Sequence, residues 1–260
     1  MEFTLYRRVI VILLPALFIS CSSPHIVASQ NNQSSLIGPF QNLRSGIVHI
    51  GLSKDEKENV STIEKWLGTG FVVDSKCTFV TAKHVLRNAD KQRVVVRFQL
   101  PSDLSKVRSL KANIVYEDKT RDLAVLKIYT FNNQPCNSGG FHIFPILEKE
   151  NFQSLGGEEI LIIGYPVVGD KHIDIPIIRN GIISSNEIKW SSEAMLLLDL
   201  LGVPGFSGSP VILRRSGHVV GVVYGPGPTQ RAFGFEWATP FSKDDYDTIM
   251  PQISKDLKTD

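Results

Sequence analysis

The chain has 260 residues, of which 42% are hydrophobic and 21% are charged, enough for one large domain or two small ones with a buried core. Its 28 Lys and Arg against 26 Asp and Glu give a formal net charge of +2. This charge is too small to attract the chain strongly to nucleic acid or acidic lipid. The 20 Gly and 14 Pro follow no period, which excludes collagen and favours an all-β chain over a helical bundle.

The first twenty residues have the pattern of an export signal. Arg7 and Arg8 precede an apolar run at 9–19 that is too short to span a bilayer comfortably. The run leads into Cys21 through LFIS, which resembles the bacterial lipoprotein cleavage box, in which a small residue precedes a lipid-bearing cysteine. The alternative is an ordinary signal peptide cut near Ser23. We expect an exported chain, attached to a membrane through a lipid at Cys21, or secreted if Cys21 carries no lipid.

Cysteine and histidine usage predicts no metal centre. Besides Cys21, the chain contains Cys77 and Cys136, a pair that permits a disulfide in an oxidising compartment without requiring one. Two cysteines alone cannot hold zinc, no HExxH sequence occurs, and the six His residues have no metal-ligand spacing. We expect neither a metal nor another cofactor.

Short β-branched runs with turn residues between them predict twelve strands. After a polar, irregular tether at 21–42, the folded domain is expected at 43–240. We predict an all-β domain of two six-stranded antiparallel barrels, at about 43–132 and 141–240, because closure protects sheet edges. The runs begin at residues 45, 68, 77, 93, 111 and 123, and then at 159, 177, 195, 209, 217 and 232.

Two segments are predicted to lie outside the strands. Residues 241–260 form a short C-terminal helix and tail, in which Ser242 caps a helix packed on the second barrel and Pro251 ends or kinks it. The insertion at 53–66, SKDEKENVSTIEKW, is expected to be a solvated charged hairpin.

One serine is flanked by glycines immediately before a predicted strand, in PGFSGSP at 204–210. Gly205 and Gly208 permit a tight turn that exposes the Ser207 hydroxyl and leaves backbone N–H groups unshielded. Such a serine can be a nucleophile beside an oxyanion hole. An ordinary β-turn serine is the alternative.

A nucleophilic serine needs a general base, and the base needs an orienting acid. His84 follows a predicted strand in VTAKHV, and Asp122 precedes another in RDLAVLKI. A lone His is usually structural and an Asp at a strand edge is usually a turn former. The order His84, Asp122, Ser207 is far more specific than any one of the three.

The segments VTAKHV, RDLAVLKI and GFSGSP resemble the three signatures of the chymotrypsin-like, trypsin-fold serine proteases. GTGFVV at 68 is similar to the strand before the catalytic His in the bacterial HtrA-like and glutamyl-endopeptidase-like branches. The resemblance covers most of the chain and implies two barrels, a site between them, and endopeptidase activity on a protein or peptide substrate. Since only twenty residues follow Pro240, we expect the protease domain without a PDZ module.

The resemblance also implies residue roles. Ser207 would attack the scissile carbonyl, His84 would take the serine proton, and Asp122 would hold the imidazole. The backbone N–H groups of Gly205 and Ser207 would form the oxyanion hole.

Three positions depart from the family pattern. Phe206 replaces the common Asp or Asn, which removes any polar bracing by that side chain. Lys83 replaces an often small or neutral residue, and its ammonium would disfavour an imidazolium if it pointed inward. Ser209 stands where Gly is more usual.

The resemblance further implies a substrate pocket. The residue six before the nucleophile, Leu201, would lie at the pocket base, and Val223 stands where relatives that select Glu place a His. We expect Leu201, Val223 and Tyr224 to line an apolar pocket, and Tyr224 and Gly225 to offer backbone groups to an extended substrate. Cleavage should therefore follow apolar residues.

Two other classes compete with this interpretation. GFSGS comes near the G-x-S-x-G of α/β hydrolases, but that fold requires the order Ser, acid, His with long helices between strands, and only His218 follows Ser207. The second class is a catalytically silent trypsin-fold binding protein, since fold does not fix function. Retention of all three triad side chains favours the enzyme.

Overall fold

β-Strands make up most of the secondary structure in the computed structural model. The structure describes residues 40–54, 60, 62–100, 103–128, 130–131, 134–135, 140–168, 171–190, 193–225 and 234–256. The predicted signal at 1–20 and the predicted lipid site at Cys21 lie outside the described residues. Among the described residues, no helix has the length and hydropathy needed to cross a membrane.

The first half of the domain is one antiparallel sheet that follows a short helix. The helix α1 (Phe40–Arg44) takes in the last residues of the predicted tether. The sheet order is β5-β4-β1-β2-β3-β7-β6. The strands are β1 (Ile47–Ser53), β2 (Ile63–Val72), β3 (Thr78–Thr81), β4 (Val94–Leu100), β5 (Asp103–Lys111), β6 (Asn113–Glu117) and β7 (Ala124–Lys127).

This half contains the six predicted strands and one more, β5. Most side chains of β5 are exposed or half-buried, as expected of an edge strand, so its sequence has no apolar run that would reveal it. In the described residues β5 and β6 form two open edges, so hydrogen bonding does not close this sheet into the predicted six-stranded barrel.

The second half is a closed barrel, as predicted. Its order is β10-β13-β14-β17-β16-β15, and two two-stranded hairpins, β8 with β9 and β11 with β12, accompany the main sheets. The strands from β8 onward are β8 (Thr130–Phe131), β9 (Gln134–Pro135), β10 (Glu159–Gly164), β11 (Val167–Val168), β12 (Lys171–His172), β13 (Ile177–Trp190), β14 (Glu193–Asp199), β15 (Pro210–Leu213), β16 (Val219–Val223) and β17 (Phe235–Pro240).

The predicted C-terminal helix is α2 (Lys243–Asp256). Ser242 caps it reciprocally, since its N–H donates to Asp245 Oδ2 at 2.8 Å and its hydroxyl accepts from Asp245 N–H at 3.3 Å. Pro251 lies inside the helix and does not end it. The helix α2 contacts both halves. The Tyr246 hydroxyl donates to Asp74 of the first half at 3.4 Å, and Ile249 lies in one hydrophobic core with Val219 of the second barrel.

An aromatic stack joins the two halves. The ring of His49 lies between those of Trp66, at 3.8 Å between centroids, and Tyr165, at 4.4 Å, with interplanar angles of 9° and 5°. His49 is 1% exposed, and its ring nitrogens have no hydrogen-bond partner among the described residues. Burial, assisted by the charges of His172 and Arg97, lowers the pKa of His49 to about 2.

Cys77, just before β3, is disulfide-bonded, and its partner lies outside the described residues. The pairing with Cys136 therefore stays a prediction. Of the predicted charged hairpin at 53–66, residues 63–66 belong to β2, and residues 55–59 and 61 also lie outside the described part.

Candidate active site

His84 and Asp122 are brought together by paired strands. β3 and β7 pair with Thr81 opposite Ala124, and His84 follows the end of β3 while Asp122 precedes the start of β7. Asp122 Oδ2 lies 2.6 Å from His84 Nδ1 and Asp122 Oδ1 accepts the backbone N–H of His84 at 2.7 Å. Because Asp122 is buried, with 7% exposed, this carboxylate favours the proton on Nδ1 and leaves Nε2 as an acceptor.

Polar contacts brace the turn that carries Asp122. Arg121 donates to Asp118 Oδ2 at 2.9 Å and to Asp245 Oδ1 of α2 at 2.7 Å. The ammonium of Lys83, the residue before His84, donates a hydrogen bond to the Asp118 carbonyl at 2.6 Å and is therefore paired with this turn. Burial would raise the pKa of Asp118, but hydrogen bonds from Arg121 and Thr120 outweigh it and lower the pKa to about 2.

The serine turn requires glycine at two places. Gly205 and Gly208 have φ values of +93° and +86°, which favour glycine. A Cβ at Gly205 would lie 2.2 Å from the Tyr165 carbonyl oxygen, and one at Gly208 would lie 2.0 Å from the Thr69 carbonyl oxygen. No larger residue fits either position without moving the backbone.

Two backbone N–H groups of this turn have no backbone acceptor among the described residues. The Pro204 carbonyl accepts from the N–H of Val167 at 2.8 Å. Because a trans peptide directs its C=O and N–H in opposite directions, the N–H of Gly205 points away from Val167. Within the described backbone, neither the N–H of Gly205 nor that of Ser207 has a backbone acceptor.

The two residues that follow β16, Tyr224 and Gly225, lie beside His84 and Ser207. The ring of Tyr224 lies 5.4 Å from that of His84, at 51°, and a Cβ at Gly225 would lie 3.2 Å from Ser207 Oγ. Among the described side chains no hydrogen bond joins Ser207 to His84; such catalytic contacts are often long before substrate binds.

The other predicted pocket residues have different surroundings. Leu201 is 56% exposed, and its carbonyl accepts a hydrogen bond from the Arg179 guanidinium. Val223 is buried among the apolar side chains of the second barrel. No sequence pattern points to Arg179, because its contact with Leu201 depends on how β13 passes the loop before the serine turn.

Phe206 fixes the turn by apolar packing. It is 3% exposed and belongs to the hydrophobic core of the second barrel. The polar bracing expected from Asp or Asn at this position is therefore replaced by burial of an aromatic ring.

In this all-β fold, one half contains the His–Asp pair and the other half contains the glycine-flanked serine turn. This combination is typical of the chymotrypsin-like folds. The chain belongs to the trypsin-like peptidase domain family, whose model matches residues 68–222. The matched region runs from the GTG sequence of β2 to β16.

Two curated Pseudomonas proteins, each named "Probable periplasmic serine endoprotease DegP-like", are similar to this chain. The P. putida (strain GB-1) protein is 29% identical over 160 residues, which cover 60% of this chain and 28% of that protein. The P. savastanoi pv. phaseolicola protein is 28% identical over 159 residues, with the same coverage. The chain thus matches less than a third of the length of these relatives.

Solved structures show the same fold. The HtrA-type protease AlgW with tripeptide aligns with a TM-score of 0.56 and 20% identity, covering 82% of this chain and 61% of that chain. The serine endoprotease from Yersinia pestis aligns with a TM-score of 0.54 and 22% identity, covering 83% and 65%.

Proposed function

We propose that this protein is a serine endopeptidase in which Ser207 is the nucleophile, His84 the general base and Asp122 the orienting acid. The observation that carries the proposal is the doubly hydrogen-bonded His84–Asp122 pair, at 2.6 and 2.7 Å. Family membership supports it, since the matched region contains all three residues. A silent binding protein has no need of an imidazole whose tautomer is fixed by a buried carboxylate.

The reaction follows from the roles of these groups. His84 Nε2 takes the proton of Ser207 Oγ as the oxygen attacks the scissile carbonyl carbon, and the N–H groups of Gly205 and Ser207 stabilise the oxyanion. His84 then gives the proton to the leaving amine, whose departure leaves an acyl-Ser207. Water deprotonated by His84 attacks this ester, and return of the proton to Ser207 releases the carboxylic acid.

Fluorophosphonate labelling of two serine variants tests the proposal. Ser207→Ala should fold, should not label and should lose casein cleavage, since loss of a triad member costs about 10⁴-fold or more in turnover. Ser209→Ala is the matched control in the same turn, because the buried Ser209 hydroxyl has no hydrogen-bond partner among the described residues. Labelling of Ser207→Ala to the wild-type extent would contradict the assignment.

The substrate is proposed to be a protein or peptide cleaved after an apolar residue. Tyr224 and Gly225, which adjoin His84 and Ser207, offer backbone groups to an extended chain, and the exposed Leu201 contributes an apolar side chain beside them. The side chain of Val223 does not line this pocket, because it is buried in the barrel core. Burying an unpaired charge in this pocket would cost several kcal/mol per ion. A peptide library should show dominant cleavage after apolar residues, whereas dominant cleavage after Arg, Lys or Glu would refute the pocket and leave the triad intact.

The domain is further proposed to be exported and held at a membrane by lipid on Cys21. The names of the Pseudomonas relatives describe periplasmic proteins, and the signal pattern precedes Cys21. Cys21→Ala should lose the lipid mass and partition out of detergent, while Ser22→Ala should keep both properties. Unchanged mass and partitioning of Cys21→Ala would refute the anchor.

Cys136 is proposed to be the disulfide partner of Cys77. In the Cys136→Ala variant, alkylation followed by mass measurement should detect a free thiol at Cys77 that the exported wild-type protein lacks. A blocked Cys77 in this variant would exclude the pairing.

A further inference from the structure

Thr69 connects the first half of the protein to the serine turn of the second half. It lies in β2 between Gly68 and Gly70, and it is 0% exposed. A Cβ at Gly68 would lie 2.8 Å from the carbonyl oxygen of Ser207. The missing side chain at Gly68 therefore lets β2 approach the backbone of Ser207 within hydrogen-bonding range.

Every polar group of Thr69 is hydrogen-bonded. Its N–H donates to the Ser207 carbonyl at 2.9 Å, and its carbonyl accepts from the Thr81 hydroxyl at 2.7 Å. Its own hydroxyl donates to the Gly205 carbonyl at 2.8 Å and accepts from the Tyr165 N–H at 3.0 Å. Since a hydroxyl has a single proton, the Thr69 hydroxyl can donate only one hydrogen bond, and it donates this bond to the Gly205 carbonyl.

The contact with Gly205 matters because this residue has little intrinsic preference for its conformation. Glycine populates positive and negative φ about equally, so external contacts must maintain the observed φ of +93°. The Val167 N–H holds the peptide group before Gly205, at the Pro204 carbonyl, and the Thr69 hydroxyl holds the peptide group after it. Rotation of the first peptide would turn the Gly205 N–H away from the substrate.

We propose that the Thr69 hydroxyl is a positioning group for the reaction, which keeps the Gly205 N–H directed at the oxyanion by holding the Gly205 carbonyl. The role rests on the proposed endopeptidase function and deepens it. Thr69 itself does not touch the substrate, because it is fully buried behind the turn. Its effect is exerted through the Gly205 backbone on the transition state, and ground-state binding is left unchanged.

The test compares Thr69→Val, which has a similar shape but no hydroxyl, with Thr69→Ser, which keeps the hydroxyl. Loss of one oxyanion donor lowers kcat by about 10²–10³-fold. Because Val167 still holds one side of Gly205, we expect Thr69→Val to lower kcat by about 10–100-fold, with KM within about threefold. Thr69→Ser should stay within about threefold of wild type in both constants.

A boronic acid peptide gives a readout that a general loss of structure would not reproduce. Its tetrahedral adduct with Ser207 places an oxygen at the oxyanion position, so Thr69→Val should weaken its binding by the same factor as kcat/KM. Binding of the corresponding peptide amide, measured in the Ser207→Ala background, should not change when Thr69→Val is added.

Thr69→Ala is a second hydroxyl-free variant, needed in case Thr69→Val does not fold. Valine leaves the Gly205 carbonyl and the Tyr165 N–H unpaired, whereas alanine leaves space for a water molecule that can pair with them. Wild-type kcat in either hydroxyl-free variant, or an equal loss in Thr69→Ser, would overturn the role of Thr69. Failure of both hydroxyl-free variants to fold would overturn it too, since the hydroxyl would then serve folding. A wild-type protein that does not react at Ser207 would instead refute the proposed function itself.

Discussion

The open sheet of the first half and the closed barrel of the second half hold their parts of the site in different ways. In the first half, His84 and Asp122 lie on connections beside the short strands β3 and β7, and ion pairs of Arg121 with Asp118 and Asp245 brace the Asp122 turn. In the second half, the serine turn is braced by backbone hydrogen bonds to the barrel, by the buried ring of Phe206, and by Thr69, which reaches it from the first half.

This contrast corresponds to what each half is proposed to supply. The first half supplies ionisable side chains, whose orientation depends on charged and polar neighbours. The second half supplies backbone N–H groups, whose direction depends on turn geometry, and a closed barrel leaves no free strand edge beside the turn. The following predictions test whether the division holds.

The largest effect is expected from the side-chain part of the site. Asp122→Asn should lower kcat by about 10⁴-fold, because the amide cannot enforce the productive imidazole tautomer. Hydrolysis of a chromogenic peptide measures the loss. Glu117→Gln, which alters an exposed carboxylate paired with Lys91 at 2.6 Å, is the control and should retain wild-type turnover; a loss below tenfold for Asp122→Asn would contradict the proposed role.

The apolar brace of the second half should dominate stability. Phe206→Ala should lower the free energy of unfolding by about 3–5 kcal/mol, because it leaves a cavity in the barrel core. Phe206→Leu keeps much of the volume and should cost less than half as much. Urea unfolding compares the two, and equal small losses would mean that packing around Phe206 does not hold the turn.

The polar brace of the first half should have a smaller effect. Arg121→Met leaves Asp118 and Asp245 without their cation and should lower the free energy of unfolding by about 1–3 kcal/mol. Because the Arg121 side chain is 28% exposed, we expect a value in the lower part of this range. Arg121→Lys should restore part of the loss, since it returns the charge without the planar fork.

The pH dependence of the wild-type protein links this brace to Asp118. Because the folded pKa of Asp118 is lowered from 3.8 to about 2, its stabilisation is present above the unfolded pKa and lost as the pH falls towards 2. The unfolding free energy of Arg121→Met should show a shallower decline in this range. Parallel curves would contradict the brace.

The junction between the halves should respond to acid at a higher pH. The folded pKa of His49 is lowered from 6.5 to about 2, so only the unfolded chain takes up this proton as the pH falls below 6.5. Stability present above pH 6.5 is therefore lost on acidification, by about 2 kcal/mol between pH 7.5 and 5. His49→Phe keeps an aromatic ring in the stack and should remove this part of the decline; an unchanged slope would refute the assignment.

Much of the fold could be predicted because burial leaves a pattern in the sequence. The six strands of the second barrel alternate or run apolar between turn residues, so all were found, and the acidic first turn after Ser242 predicted the start of α2. The edge strand β5 was missed, since a solvent-facing strand needs no apolar face. The contacts of α2 with the first half were not predicted, because the direction of a helix after its N-cap is not encoded locally.

By itself, the sequence determined the all-β class, the glycine-flanked serine and the identities of the residues proposed for catalysis. These follow from short-range chemistry, such as the positive φ that only glycine adopts easily at positions 205 and 208. Only the tertiary structure decided which groups hold them: Thr69 at the Gly205 carbonyl, Arg121 at Asp245, and His49 between Trp66 and Tyr165. Such contacts join residues up to 136 positions apart, and the approach that creates them depends on how the two halves pack, which no local pattern records.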